Sequence, residues 1–220
     1  MKKYLALLLT LAVGMGALAG CGSSSETTTD ETQNTETNTE DTANGADTTE
    51  RTTFTVGFDA EYPPYGYKNE AGEYVGFDLD LAQEVCDRNG WELVKQPIDW
   101  SSKDMELNSG TVDCLWNGFT MTGRESEYTF SEPYVDNSIV FVVRQDSDIQ
   151  TKEDLAGKVV ITQAGSSALT ALTNTENNDE NLALAATFAS LEQTPDYNTA
   201  FMSLETGAVE AVAVDIGVAQ

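Results

Sequence analysis

"VVITQAGSSALT", residues 159–170, decides how the chain is read. Val159, Val160, Ile161 and Thr162 are β-branched in a row and suit a buried strand. Gly165 breaks the run, and Ser166-Ser167 ahead of Ala168-Leu169 opens a helix. A strand that turns straight into a helix is half of a strand–helix–strand crossover, the unit from which parallel sheets are built. The turn also has a chemical use. Free N–H groups at a helix start, flanked by two serine hydroxyls, suit a carboxylate or a phosphate; alternatively, Ser166 simply caps the helix.

The same alternation runs outward in both directions. Upstream, "FTVGFD" (54–59), "WELVKQPI" (91–98) and "VDCLWNGF" (112–119) read as strands. "FDLDLAQEVCDRNG" (77–90) places Leu79, Ala82, Val85 and Cys86 at helical spacing and closes on Asn89-Gly90. "SKDMELNSG" (102–110) predicts a short helix, "EYPPYGY" (61–67) a turn stopped by two prolines, and "SIVFVV" (138–143) a buried strand. Thr151 opens a short helix in "TKEDLAGK" (151–158), with Asp154 in capping-box position. Downstream, "LALAATFAS" (182–190) reads as a strand or extended segment. "TPDYNTAFMSLETG" (194–207) reads as a helix started by Thr194-Pro195, and "AVEAVAVD" (208–215) as the last strand. Strand–helix–strand twice over implies an α/β fold with parallel-rich sheets flanked by helices, and residues 133–143 are the natural crossing between two lobes.

Charge and composition narrow the function. The 220 residues carry 11 Lys and Arg against 37 Asp and Glu, a net charge of -26, and none of the cations lies beyond Lys158. Such a chain is a poor partner for nucleic acid, whose phosphates need many cations. Histidine is absent, which removes the commonest metal ligand and the usual general base, so neither a metal nor a cofactor is expected. Cys86 and Cys114 could pair outside the cytoplasm or remain as two buried thiols.

The N-terminus reads as an address. Two lysines, an apolar run from Tyr4 to Ala19 and "LAGC" ending at Cys21 predict a signal peptide over 1–20 with Cys21 as the lipidated residue of a bacterial lipobox. The apolar run is short for a bilayer span. Residues 22–51 hold eight acids, one cation and no large apolar side chain, so 21–52 is expected to be a solvated tether.

In open α/β sheets, ligands collect beyond the carboxyl ends of the strands. Here those ends carry Asp59, Asn117-Gly118, the 163–167 turn and Asp215. "GFTMTGR" (118–124) repeats the theme of the opening stretch: a strand end, hydroxyls on Thr120 and Thr122, then the cation Arg124. Two anion-friendly corners suggest one anionic group held between lobes. A carboxylate at the end of an apolar strand is costly without a partner, so Asp215 implies either a ligand ammonium or a helix N-terminus. Tyr62 and Trp100 stand where aromatics wall a small ligand or pack as core.

These residues are the ones that carry a resemblance. From Thr53 to Gln220, "GFDAEYPPYGY", "GEYVGFDLDLAQEVC", "WNGFTMTGRESEYTFSEPY", "DLAGKVVITQAGSSA" and "ETGAVEAVAVD" resemble, in order and spacing, the polar amino acid-binding proteins of ABC importers, solute-binding family 3. The resemblance implies a type 2 periplasmic-binding-protein-like fold, with lobe 1 over 53–137 and lobe 2 over 138–220 closing on one L-amino acid. It implies that Asp59 meets the ligand's side chain, flanked by Tyr62 and Trp100. The Gly118 carbonyl and Asp215 would take the ammonium; Thr120, Arg124, Ser166 and Ser167 would hold the α-carboxylate. It further implies an ABC permease as partner and an outer-face, lipid-anchored location of the Gram-positive kind. Two departures stand out. The family's arginine falls three residues after the threonine matching Thr122, where this sequence has Glu125, so Arg124 must reach from one position earlier. The family also continues past the last strand and returns to the first lobe. By comparison this sequence is incomplete at its C-terminus and is expected, in isolation, to be poorly stable or poorly closed. An enzyme on the same fold, such as a dehydratase of cyclic amino acid precursors, and a ligand-sensing module are the competing classes. The absence of histidine weighs against the first, and a lipid anchor, which transmits nothing across a membrane, against the second.

Overall fold

A computed structural model describes residues 52–175 and 179–220. The expected signal peptide, Cys21 and all but the last residue of the expected tether lie outside the described residues. Among the described residues no helix is long and apolar enough to cross a membrane.

The strand β1 (Thr53–Phe58) is the middle of a three-stranded parallel sheet, with β5 (Glu92–Pro97) on one side and β6 (Cys114–Leu115) on the other. Val56 and Phe58 are fully buried there. Between β1 and β5 the chain makes a small antiparallel sheet of β2 (Glu61–Tyr62), β3 (Gly66–Lys68) and β4 (Tyr74–Val75), then α1 (Phe77–Asn89). The helix α1 buries Leu79, Ala82 and Cys86 against the sheet, and Cys86 is a free thiol. Gly76 is required ahead of α1: at φ 138° a side chain is disfavoured, and a Cβ there would sit 2.2 Å from the Tyr65 carbonyl oxygen. A 3₁₀ turn (Trp100–Ser102) leads into α2 (Lys103–Ser109) and so to β6.

Residues 116–138 then lead to a second sheet. Its order is β7 (Ile139–Val143), β10 (Ala211–Asp215), β8 (Val159–Gln163), β9 (Ser190–Thr194). The strands β10, β8 and β9 are parallel and β7 is antiparallel to β10. The helices α3 (Ser167–Thr173) and α4 (Asp179–Ala185) cover one face, and α5 (Tyr197–Glu205) covers the other. The period-2 rule sorts the strand residues between these faces. Ala211 and Ala213 pack with Ala168 and Leu172, whereas Val212 and Val214 pack with Tyr197, Ala200 and Leu204.

Several sequence expectations change. "SIVFVV" forms β7, but at the edge of the sheet, with every residue only half-buried. Its run is apolar throughout because alternate residues feed opposite layers: Ile139, Phe141 and Val143 one, Val140 and Val142 the other. "LALAATFAS" is helix only in its first four residues and then turns; α4 ends at Ala185, and Leu184 and Ala185 pack beside Phe188. Alanine and leucine favour a helix whatever their alternation suggests. The strand begins only at Ser190. The following helix starts not at Thr194-Pro195 but at Asp196, whose carboxylate accepts from Thr199 N–H at 2.7 Å. The expected capping box holds: Thr151 and Asp154 bond reciprocally.

Candidate functional site

The carboxyl ends of β6, β8 and β10 converge on one narrow cavity of about 10 Å³, with the end of β1 just behind its wall. Tyr62, Trp100, Gly118, Thr120 and Arg124 line it from the first-sheet side, and Ser166, Ser167 and Asp215 from the second. Asn117, Phe119 and Gln163 complete the wall. Asp59 lies behind Gln163, whose amide donates to its carboxylate. The nine candidate ligand residues, scattered over 157 positions from Asp59 to Asp215, are therefore brought to one place.

Asp215 ends the fully buried strand β10. Its Oδ2 accepts from Tyr62 O–H at 2.6 Å, and its Oδ1 accepts from Ser167 O–H at 2.8 Å and from the Asn137 amide. Three neutral donors thus surround it, which answers the question of its partner in a way neither sequence alternative anticipated. Tyr62 is held in turn by its ring, which stacks on Tyr65 at 5.4 Å and lies 5.9 Å from Tyr197. Burial, and then the adjacent Asp215 charge, push its phenol well above its ordinary range, so it remains a donor.

Arg124 is not a surface cation. It is 6% exposed, with Nη1 donating to the Thr120 carbonyl at 3.2 Å and Nη2 to Thr170 Oγ1 at 3.0 Å across the cleft in α3. Its guanidinium stands 5.0 Å from the Phe119 ring centre. Burial lowers its pKa, and Tyr128, Asp215, Glu127 and Asp104 oppose that shift. A second buried cation, Lys103, sits 5.5 Å from the Trp100 ring centre; burial lowers its pKa too. Trp100 meets Phe119 edge-on at 5.2 Å. Gly118 adopts φ 54°, and a Cβ there would meet the Tyr65 ring at 3.3 Å, so its backbone can face the cavity only as glycine.

The Ser166 hydroxyl caps α3, accepting from Leu169 N–H at 3.1 Å. The capping alternative therefore describes its side chain, although the residue lies on the cavity. Asp59 is 4% exposed; burial raises its pKa, and the bonds from Gln163 and the Glu61 N–H offset part of that rise. Gln163 also donates to the Pro195 carbonyl at 2.9 Å, so one amide joins Asp59 to the opposite side of the cleft. Gln163, Asn137 and Thr170 escaped the sequence-based selection. Gln163 was visible only as part of a strand-end turn, and Asn137 and Thr170 had no local signal.

A polar cavity between two α/β sheets, lined by a buried cation from the first-sheet side and a buried carboxylate from the second, has the form of a small-molecule binding site. The chain belongs to the bacterial extracellular solute-binding proteins, family 3, whose model matches residues 54–211. It is 33% identical over 167 residues to the arginine-binding extracellular protein ArtP of Bacillus subtilis (strain 168), covering 76% of this chain and 57% of that one. It is 29% identical to the glutamine-binding protein of Geobacillus stearothermophilus, over 97% of this chain and 80% of that one. Its fold is shared with a substrate-binding protein of an ABC uptake transporter from Streptococcus pneumoniae, solved with bound histidine. That structure is 33% identical with a TM-score of 0.70, and the match covers 76% of this chain and 67% of the other. The chain thus spans less than two thirds of the length of ArtP.

Proposed function

We propose that this chain is the ligand-capturing part of an extracytoplasmic receptor that binds a polar L-amino acid and presents it to an ABC importer permease. One observation carries the reading: Arg124 and Asp215, opposite charges that are both at least nine-tenths buried, face one cavity from different sheets. That pairing suits the α-carboxylate and α-ammonium of one amino acid. Relatives named for arginine and glutamine, and one solved with histidine, support the same class of ligand.

In this reading residues 53–137 and 138–220 are the two lobes. Thr120, Arg124, Ser166 and Ser167 hold the carboxylate; Gly118 and Asp215 hold the ammonium. Tyr62 and Trp100 flank the side chain, and Asp59 meets its polar end. Gln163 occupies Asp59 until the ligand does. The narrow cavity means that entry requires the lobes to part, and the ligand closes them by replacing contacts such as Gln163–Asp59 and Ser167–Asp215. Relatives named as binding proteins favour a receptor over an enzyme. The lipid on Cys21 would anchor the receptor to the outer face of the membrane; replacing Cys21 with serine should release it to the medium.

The direct test is a thermal-shift and calorimetric screen of the lipid-free protein against the common L-amino acids. A ligand at a hundred times its Kd adds about 2.7 kcal/mol of stability. Asp215→Ala and Arg124→Ala should each weaken the hit by about a hundredfold, as loss of a charged partner does. A screen without a shift, or turnover of the hit, would overturn the receptor reading.

A further inference from the structure

Asn137 lies where the backbone enters the second sheet, two residues ahead of β7. Its Nδ2 donates to Thr120 Oγ1 at 3.1 Å on the first-sheet side and to Asp215 on the second. The carboxylate fixes the amide's orientation, since turning it over would set Oδ1 against an anion. Oδ1 is thereby left buried with no donor among the described residues. A buried acceptor without a donor is destabilising and calls for an explanation.

The neighbours supply one. Asp215 is met by three neutral donors, from Tyr62, Ser167 and Asn137. An incoming ammonium brings three N–H groups to this corner and must share Asp215 with those donors. Asn137 stands just outside the lining of the closed cavity, one hydrogen bond away from Asp215, and its Oδ1 offers an acceptor to one of them when the ligand opens that corner. Its backbone adds a second consequence. The next residue, Ser138, accepts from Ile216 N–H at 2.9 Å, and Ile139 is paired with Asp215 itself across β7 and β10.

We propose that Asn137 is a ligand-contacting residue, whose carbonyl oxygen accepts from the α-ammonium beside Asp215 and ties that contact to the segment crossing between the lobes. The inference deepens the receptor reading and rests on it. It makes Asn137 a determinant of the preference for an α-amino group over other α-substituents.

The test measures Kd by calorimetric competition for L-arginine, L-glutamine and L-histidine and for the α-hydroxy acid matching each. The wild-type protein is compared with Asn137→Leu and Asn137→Ser. Asn137→Leu should cut the preference for the amino over the hydroxy compound about tenfold, the worth of one hydrogen bond to a charged group. Asn137→Ser, which keeps an oxygen and suffices if the leucine variant fails to fold, should cut it by less. A preference unchanged in the folded variants overturns the role of Asn137 and leaves the receptor intact. A wild-type protein that binds none of the three amino acids overturns the receptor reading for these ligands and, with it, the inference.

Discussion

The two sheets stand on opposite terms with water. In the second, Ala211, Val212, Ala213 and Val214 of β10 are all 0% exposed, with helices on both faces and a strand on either side. In the first, burial is confined to the end of β1. Its neighbour β5 leaves Val94 37% exposed, and β6, two residues long, borders an open apolar cavity of about 540 Å³ lined by Leu115, Phe119 and Phe130 among others. Asp215 is presented by the well-covered sheet, Arg124 by the loop that leaves the thinly covered one. One charge is therefore held by a rigid strand and the other mainly by its own hydrogen bonds to Thr120 and Thr170.

The comparison breaks first at a pair of matched substitutions. Val212→Asp would bury an unpaired carboxylate between β8 and α5 and should remove more than about 4 kcal/mol, enough to abolish cooperative unfolding. Val94→Asp on the first sheet should change stability by about 0.5 kcal/mol or less. Chemical denaturation followed by circular dichroism measures both. Equal losses would mean that the first sheet is covered far better than the exposure of Val94 indicates.

A smaller effect separates the sheets by pH. Asp78, in the first turn of α1, is 0% exposed, and burial raises its carboxyl to about 6; the Tyr134 hydroxyl, at 2.9 Å from Oδ1, offsets part of the rise. Its Oδ2 has no donor among the described residues. A carboxyl whose pKa is raised by folding binds its proton more tightly in the native state. The stabilisation is complete below about pH 4 and is lost as pH rises through about 6. The difference is on the order of 2–3 kcal/mol. Asp78→Asn should flatten the melting temperature between pH 4 and 7. An unchanged slope would assign the pH dependence elsewhere, Asp59 being the next buried carboxyl.

What could be read from the sequence follows from what was local. The strands β1, β8 and β10 announce themselves as apolar, largely β-branched runs, and the helix α1 through its spacing and Gly90, because burial leaves its mark on each local stretch. "LALAATFAS" misleads because alternating alanine and leucine satisfy both periods, and only packing beside Phe188 and Leu191 decides for a helix. The small sheet around Pro63-Pro64 has strands of two or three residues, too short to leave a pattern. Strand-end chemistry pointed to the polar residues that line the cavity, since a carboxylate or cation after an apolar run demands a partner. Gln163, Asn137 and Thr170 are neutral, and their part depends on residues 104, 78 and 46 positions away. Gln163 stands out only through its strand-end turn, and no local signal marks Asn137 or Thr170; the closed geometry does.

The smallest effect bears on Ser166, where two explanations of one residue meet. Its hydroxyl is spent on the Leu169 N–H and so caps α3, while the residue lines the cavity. Ser166→Ala removes the cap and a longer contact with Thr162 Oγ1 at 3.3 Å, and should cost about 1 kcal/mol of stability. Because α3 also carries Thr170, which receives Arg124, fraying of its first turn should loosen the cation held by the less rigid side of the cleft. Ligand affinity should then fall only severalfold, and by about the same factor for amino and α-hydroxy acids, because two of the three donors at Asp215, Tyr62 and Asn137, lie outside α3. A loss as large as that of Arg124→Ala would show that the Ser166 hydroxyl leaves its cap to bind the carboxylate directly. The two sides of the cleft would then share the anion more evenly than their sheets share the core.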